Sequence, residues 1–152
     1  MDRISLKKQL KQFALDQIER RLVVAREAIA QAQEAANQEE KSSAGDKYET
    51  GRAMSHLQKD MHARQLLENQ KERADLQGIP VDMAYNTVRA GAFIQTETGD
   101  FFIAAGLGKQ MHEGKVVVFL SPQAPLARLL YGKAAGEQVS LNGKTVKITE
   151  VF

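Results

Sequence analysis

The chain has 152 residues, enough for one domain or two small ones, and its 21 basic and 19 acidic residues are too balanced for nucleic-acid binding by bulk charge. It has no cysteine, which excludes disulfides, thiolate metal sites and cysteine nucleophiles. No apolar run approaches the ~20 residues that cross a bilayer, and "MDRISLKKQLKQF" lacks the apolar segment of a secretory signal. The expectation is a cytoplasmic protein with no membrane partner.

Residues 1–77 contain no proline and are rich in Ala, Gln, Glu, Lys and Arg, which favour helix. Leu6, Leu10 and Phe13 open a stripe that continues as Ile18, Leu22, Ala25, Ile29, Ala32 and Ala36, in steps of four and three. Such steps describe a heptad seam. A small, polar stretch, "QEEKSSAGDKYETGR", interrupts it at residues 38–52. Beyond the bend, Met54, Leu57 and Met61 repeat the steps, and Leu67, Ala74 and Leu76 continue them more loosely. Two seams joined by a short turn predict an antiparallel helical hairpin, a coiled coil over residues 1–77 with an acidic tip near 39–49. The prediction buries Ile18, Leu22, Ile29, Leu57 and Met61 between the helices. Alanines 28, 32, 35 and 36 would let the helices approach closely near the tip.

"QGIPVD" ends the second helix, with Gly78 as cap and Pro80 as stop. The pattern then changes to strands. "TVRAGAFIQTETGDFFIAAGLG" carries two apolar runs around a turn at Gly99, and "KVVVFL" is a short buried strand. "SPQAPLARLLYGK" reads as a short helix that Ser121 can cap and Gly132 can end. Pro125 must also fall in its first turn, so its start can lie a few residues later. "EQVSLNGKTVKITEVF" is a hairpin with an Asn142-Gly143 turn, although Val151 breaks the alternation set by Val146 and Ile148. The whole is α+β, with residues 80–152 forming a small β-rich domain with one short helix.

The final phrase, "LSPQAPLARLLYGKAAGEQVSLNGKTVKITEVF", resembles the end of bacterial Gre-type transcription elongation factors. Ser121, Pro122, Pro125, Leu126, Leu129, Leu130, Gly132, Lys133, Gly136 and Val139 fit the family's SPxSPLGxALLGKxxGDxV phrase. Ala124 replaces its second serine, and Glu137 its usual Asp. The resemblance implies a helical hairpin followed by an FKBP-like domain that docks on RNA polymerase. It also implies a monomeric cofactor protein rather than an enzyme, one that stimulates the polymerase's own cleavage of backtracked transcripts. At the bend, "GDKYETGRA" matches the family's GDLxENAEY phrase at Gly45, Asp46 and Glu49, but not at Thr50, Arg52 or Ala53. By this resemblance Asp46 and Glu49 are the catalytic and metal residues. They would help hold a Mg²⁺ ion shared with the polymerase active site, within reach of nascent RNA. A non-catalytic Gre-like regulator, or a competitor of cleavage factors, is the alternative. A coiled-coil dimerisation module explains the heptads but leaves the C-terminal phrase without a role.

The residues themselves leave two roles open at the tip. Asp-x-x-Glu at a helix start is a capping box, and both charges suit the positive end of the helix dipole. Two carboxylates can equally complete the shell of a hard cation that keeps several waters. Glu34, Glu39 and Glu40 read as a solvated face, and Lys41, Lys47 and Arg52 as solubility or phosphate contacts. His56 and His62 lack the spacing of a helical metal pair, His112 sits in a turn-like "QMHEGK", and "GLGK" is no phosphate loop. Leu130 and Tyr131 read as core or as partner contacts.

Overall fold

The computed structural model describes the backbone of residues 2–41 and 45–152, and the side chains of these except 39–41, 45–50, 52 and 55. In chain order come α1 (Arg3–Lys41), α2 (Gly45–Gln77), β1 (Phe93–Thr96), β2 (Asp100–Ile103), β3 (Gly108–His112) and β4 (Lys115–Leu120). Then follow α3 (Pro125–Leu130), β5 (Gln138–Leu141) and β6 (Lys144–Val151). The class is α+β. Two compact units result: Met1–Leu15 with Asp75–Phe152, and Asp16–Ala74.

The Asp16–Ala74 unit pairs parts of α1 and α2. Arg21 meets Glu72 at 3.7 Å, Arg73 meets Glu19 at 3.1 Å, and Lys59 donates to Gln33 at 2.6 Å. Partners advance along α1 as they retreat along α2, so the helices run antiparallel. The α1 stripe is buried at Ile18, Leu22, Ala25, Ala32 and Ala36, while Ile29 is half-buried. The expectation for α2 is overturned: Leu57 and Met61 are 55% and 60% exposed, and Met54 and Leu67 also face water. The inner side of α2 is instead the set Lys59, His62, Ala63, Leu66 and Asn69, half-buried or buried. Its steps of three and four are the same, but its phase differs. Periodicity identifies a stripe, but two stripes of the same period on α2 differ in which one faces α1.

The other unit is built on a six-stranded mixed sheet of order β3-β4-β2-β1-β6-β5. Only β2 and β4 are parallel; the remaining neighbours are antiparallel. Phe101, Phe102 and Ile103 are all buried, as a strand covered on both faces requires. On one face Phe101, Ile103, Val146 and Ile148 pack with Ala127 and Leu130 of α3, and with Tyr85 and Val88. The aromatic side chains of the other face lie with the start of α1. Phe13 sits 5.7 Å from Phe119 and 5.6 Å from His112, and Phe119 meets Phe102 edge-on at 5.7 Å. Burying each such side chain contributes about 1.5–3 kcal/mol.

The turns follow local chemistry. Asn142 and Gly143 take φ of 51° and 78°, the left-handed pair of a two-residue hairpin. Val151 stays buried because the β1–β6 register shifts between Gln95 and Thr96, leaving Thr149 as the extra residue of a bulge. α3 starts at Pro125 with Ala124 as its N-cap and no side-chain cap. Ser121, expected to cap it, accepts instead from the amide of Gln123 at 3.3 Å. "QMHEGK" is also a correction: Gln110, Met111 and His112 belong to β3, and the turn is only Glu113-Gly114. At α2's end Gly78 lies outside the left-handed region. Lys11 of α1 supplies the terminal cation, donating to the carbonyls of Gln77 and Ile79 at 2.9 and 2.8 Å.

Candidate functional site

The sheet face that carries α3 has a groove of about 840 Å³. Its floor follows from strand parity and register. Phe101 pairs with Val118 across the parallel β2–β4 ladder, and Val116 lies two residues earlier on the same side of β4. α3 turns Ala127 and Leu130 into the core, which leaves Leu126 and Leu129, three apart, for the groove wall. The β5–β6 hairpin closes the other side with Leu141 and Val146. Val116 and Leu129 are 49% and 47% exposed, so apolar surface remains open to water. Lys109 and Lys144 supply basic charge among the lining residues. Open apolar surface is thus lined in part by basic side chains.

A smaller polar crevice of about 300 Å³ opens on the opposite face. Phe93 and Phe152 stack at 5.0 Å, and the Arg3 guanidinium lies 5.0 Å over the Phe152 ring while pairing with Glu150. Burial raises the Asp100 carboxyl above its ordinary pKa, and the nearby Lys115 opposes that shift. With Arg3 committed to Glu150 and Lys115 beside Asp100, these charges are largely answered within the protein.

Asp46 and Glu49 fall in the opening turns of α2, three positions apart, a spacing that places two residues on one helix face. Their side chains lie outside the described residues, as do those of Glu39, Glu40, Lys41, Lys47 and Arg52. Glu34 is exposed. Among the described residues, no group of three or more His, Asp or Glu is placed to hold a metal, and no helix is long and apolar enough to cross a membrane. Leu130 is core, whereas Tyr131 is 56% exposed.

Sequence reasoning missed Lys7. It is fully buried, its amine donates to the Met83 carbonyl at 2.6 Å, and it lies 4.3 Å from the centre of the Tyr85 ring. A signal was available, since stepping back from Ile18 through Ala14 and Leu10 lands on Lys7. No protein-family model matches the chain, and no curated protein is found to be similar to it.

Proposed function

We propose that the chain is a Gre-like protein that binds bacterial RNA polymerase and modulates elongation by stimulating cleavage of backtracked transcripts. The observation that carries this reading is the phrase from Ser121 to Val139, whose Leu126 and Leu129 line the open groove. The finer likenesses belong to the same reading: coiled-coil pairing of α1 with α2, and an FKBP-like sheet domain. The groove is then the docking surface, and Asp46 and Glu49 are the effectors. The ion, held mainly by the polymerase, supplies an activated water and charge neutralisation when bound. The chemistry of the donor set fits: two carboxylates are hard oxygen ligands, too few to hold Mg²⁺ alone, so activity belongs to the complex. The chain acts as a monomeric cofactor protein in the cytoplasm, close to nascent RNA in the polymerase channel.

One observation favours the second reading, a polymerase-binding regulator without cleavage. After Glu49 the residues Thr50, Arg52 and Ala53 depart from the family phrase. Two full-length variants separate the readings. Val116→Asp with Leu129→Asp places charge in the groove and should weaken polymerase binding at least about tenfold, equivalent to 1.4 kcal/mol. Asp46→Asn with Glu49→Gln keeps capping oxygens and removes charge. It should keep polymerase binding and lose cleavage on stalled, backtracked complexes. Full cleavage by that variant would end the catalytic assignment. Absence of cleavage by the wild type, with binding retained, selects the regulator. Unchanged binding by the groove variant would remove the docking surface.

A further inference from the structure

We propose that the chain self-associates by a helix-in-groove contact, in which the outward stripe of α2 in one copy seats in the α3 groove of a second copy. Both halves of the contact are present in a single chain. Met54, Leu57 and Met61 are each more than half exposed. Leu57 and Met61 lie three and seven residues after Met54, so the three side chains form one apolar line along α2. The groove offers Val116 and Leu129, both nearly half exposed, with Leu126 beside them. A helix that binds in an apolar groove does so through anchors at this spacing.

Charge favours this occupant. Among the described residues, Lys109 and Lys144 of the groove have no ion-pair partner. The other charged lining residue, Asp100, has Lys115 beside it. On α2, Asp60 lies three residues after Leu57, and Glu68 seven after Met61. Both acids are exposed and, among the described residues, likewise without an ion-pair partner. Arg64 lies between them, which leaves this part of the helix net acidic. Complementary charge of this kind steers association and fixes register. The exposed apolar pair of α1, Val23 and Val24, does not compete, because consecutive residues do not share a helix face.

The pairing of unlike surfaces also sets the stoichiometry. Stripe against stripe would join only three half-exposed side chains from each copy, well short of the ~800 Å² per partner of a stable interface. One stripe and one groove in each copy let two copies exchange them and make the contact twice. An occupied groove is closed to any other ligand, so the monomer is the form that keeps it open. The contact involves no polymerase and stands or falls apart from the function proposed above.

The test uses the full chain and follows its mass by sedimentation as concentration rises. Wild type should associate in a concentration-dependent way. Leu57→Asp breaks the stripe and spares the groove, and Leu129→Asp does the reverse. Each variant alone should associate at least about tenfold more weakly than wild type. Their equimolar mixture should form a one-to-one complex, tighter than either variant alone and weaker than wild type, because one intact contact remains. The chain has no cysteine, so Leu57→Cys and Leu129→Cys copies can be mixed under mild oxidation. They should give the mixed disulfide ahead of either self-pair. A wild type that stays monomeric, or a mixture that stays dissociated, overturns the proposal. So does a Leu129→Asp variant that associates like wild type, which would point to stripe against stripe. Should an Asp variant fail to fold, the cysteine pair still decides.

Discussion

The two units are held together in different ways. In the sheet unit, large side chains fill both faces: Phe93, Phe102, Phe119, Ile94, Ile103 and Ile148 are each at most 2% exposed. In the Asp16–Ala74 unit, the fully buried large side chains among the described residues are Ile18 and Leu22, and toward the C-terminal end of α1 its stripe shrinks to alanine. Four large apolar residues of α2 (Met54, Leu57, Met61 and Leu67) point outward, and polar pairs such as Lys59–Gln33 join the helices. Exposed ion pairs and side-chain hydrogen bonds contribute little each. Buried aliphatic and aromatic surface contributes much more. The stability of the chain therefore resides mainly in the sheet unit, and the helix pair depends on a few residues near its own base.

The largest expected effect tests the sheet unit. Gly91 has φ of +90°, and a Cβ there would stand 2.1 Å from the Pro80 carbonyl oxygen. The backbone cannot yield easily, because the Gly91 amide donates to Ile103 at 2.7 Å. Gly91→Ala combines a left-handed conformation with a backbone clash. It should cost about 3 kcal/mol or more, read from the urea midpoint of the sheet unit's near-ultraviolet signal. A loss below about 1 kcal/mol would mean that the segment from Pro80 to Gly91 packs less tightly than described.

The next effect tests the helix pair. Leu22→Ala should cost about 2–4 kcal/mol, since Leu22 is fully buried. Met61→Gln, on the exposed stripe, should change stability by less than about 0.5 kcal/mol. Amide exchange of α2 distinguishes the two: Leu22→Ala should accelerate it, and Met61→Gln should not. Equal, large losses from both would mean that the outward stripe is covered in solution.

These residues also show what was legible in the sequence. Turn chemistry is local, so Gly99 and Asn142-Gly143 could be read directly, and "KVVVFL" declared its strand by composition. β3 could not, because its one large apolar residue, Met111, is 61% exposed and the strand is defined by pairing with β4. The α1 stripe was legible because its apolar residues are also its buried ones. The α2 stripe misled, because Met54, Leu57 and Met61 satisfy the period while the side meeting α1 carries Lys59, Leu66 and Asn69. The groove was legible only in part. Leu126 and Leu129 belong to the C-terminal phrase, but their joining with Phe101, Val116 and Val118 required the parallel β2–β4 register. Asp46 and Glu49 were singled out by the sequence, and their side chains lie outside the described residues.

The smallest expected effect compares two turns within the sheet unit. Glu113 and Gly114 join β3 to β4 with φ of 49° and 79°, nearly the values of Asn142 and Gly143 between β5 and β6. The turns share their geometry at both positions, yet one uses Glu where the other uses Asn. A positive φ crowds Cβ against the backbone carbonyl and so disfavours most side chains, whereas Asn tolerates it because its short amide can hydrogen-bond locally. Glu113 is exposed, so replacing it sacrifices no packing. Glu113→Asn should raise stability by about 0.5 kcal/mol, and Asn142→Glu should lower it by a similar amount. Both are read as shifts in urea midpoint at constant slope. If Asn142→Glu destabilises while Glu113→Asn gives no gain, the carboxylate of Glu113 makes a compensating interaction in the polar crevice it lines with Arg3, His112 and Lys115. In that case the charge, rather than the backbone, sets the residue at this turn, and Glu113→Gln should destabilise where Glu113→Asn is neutral.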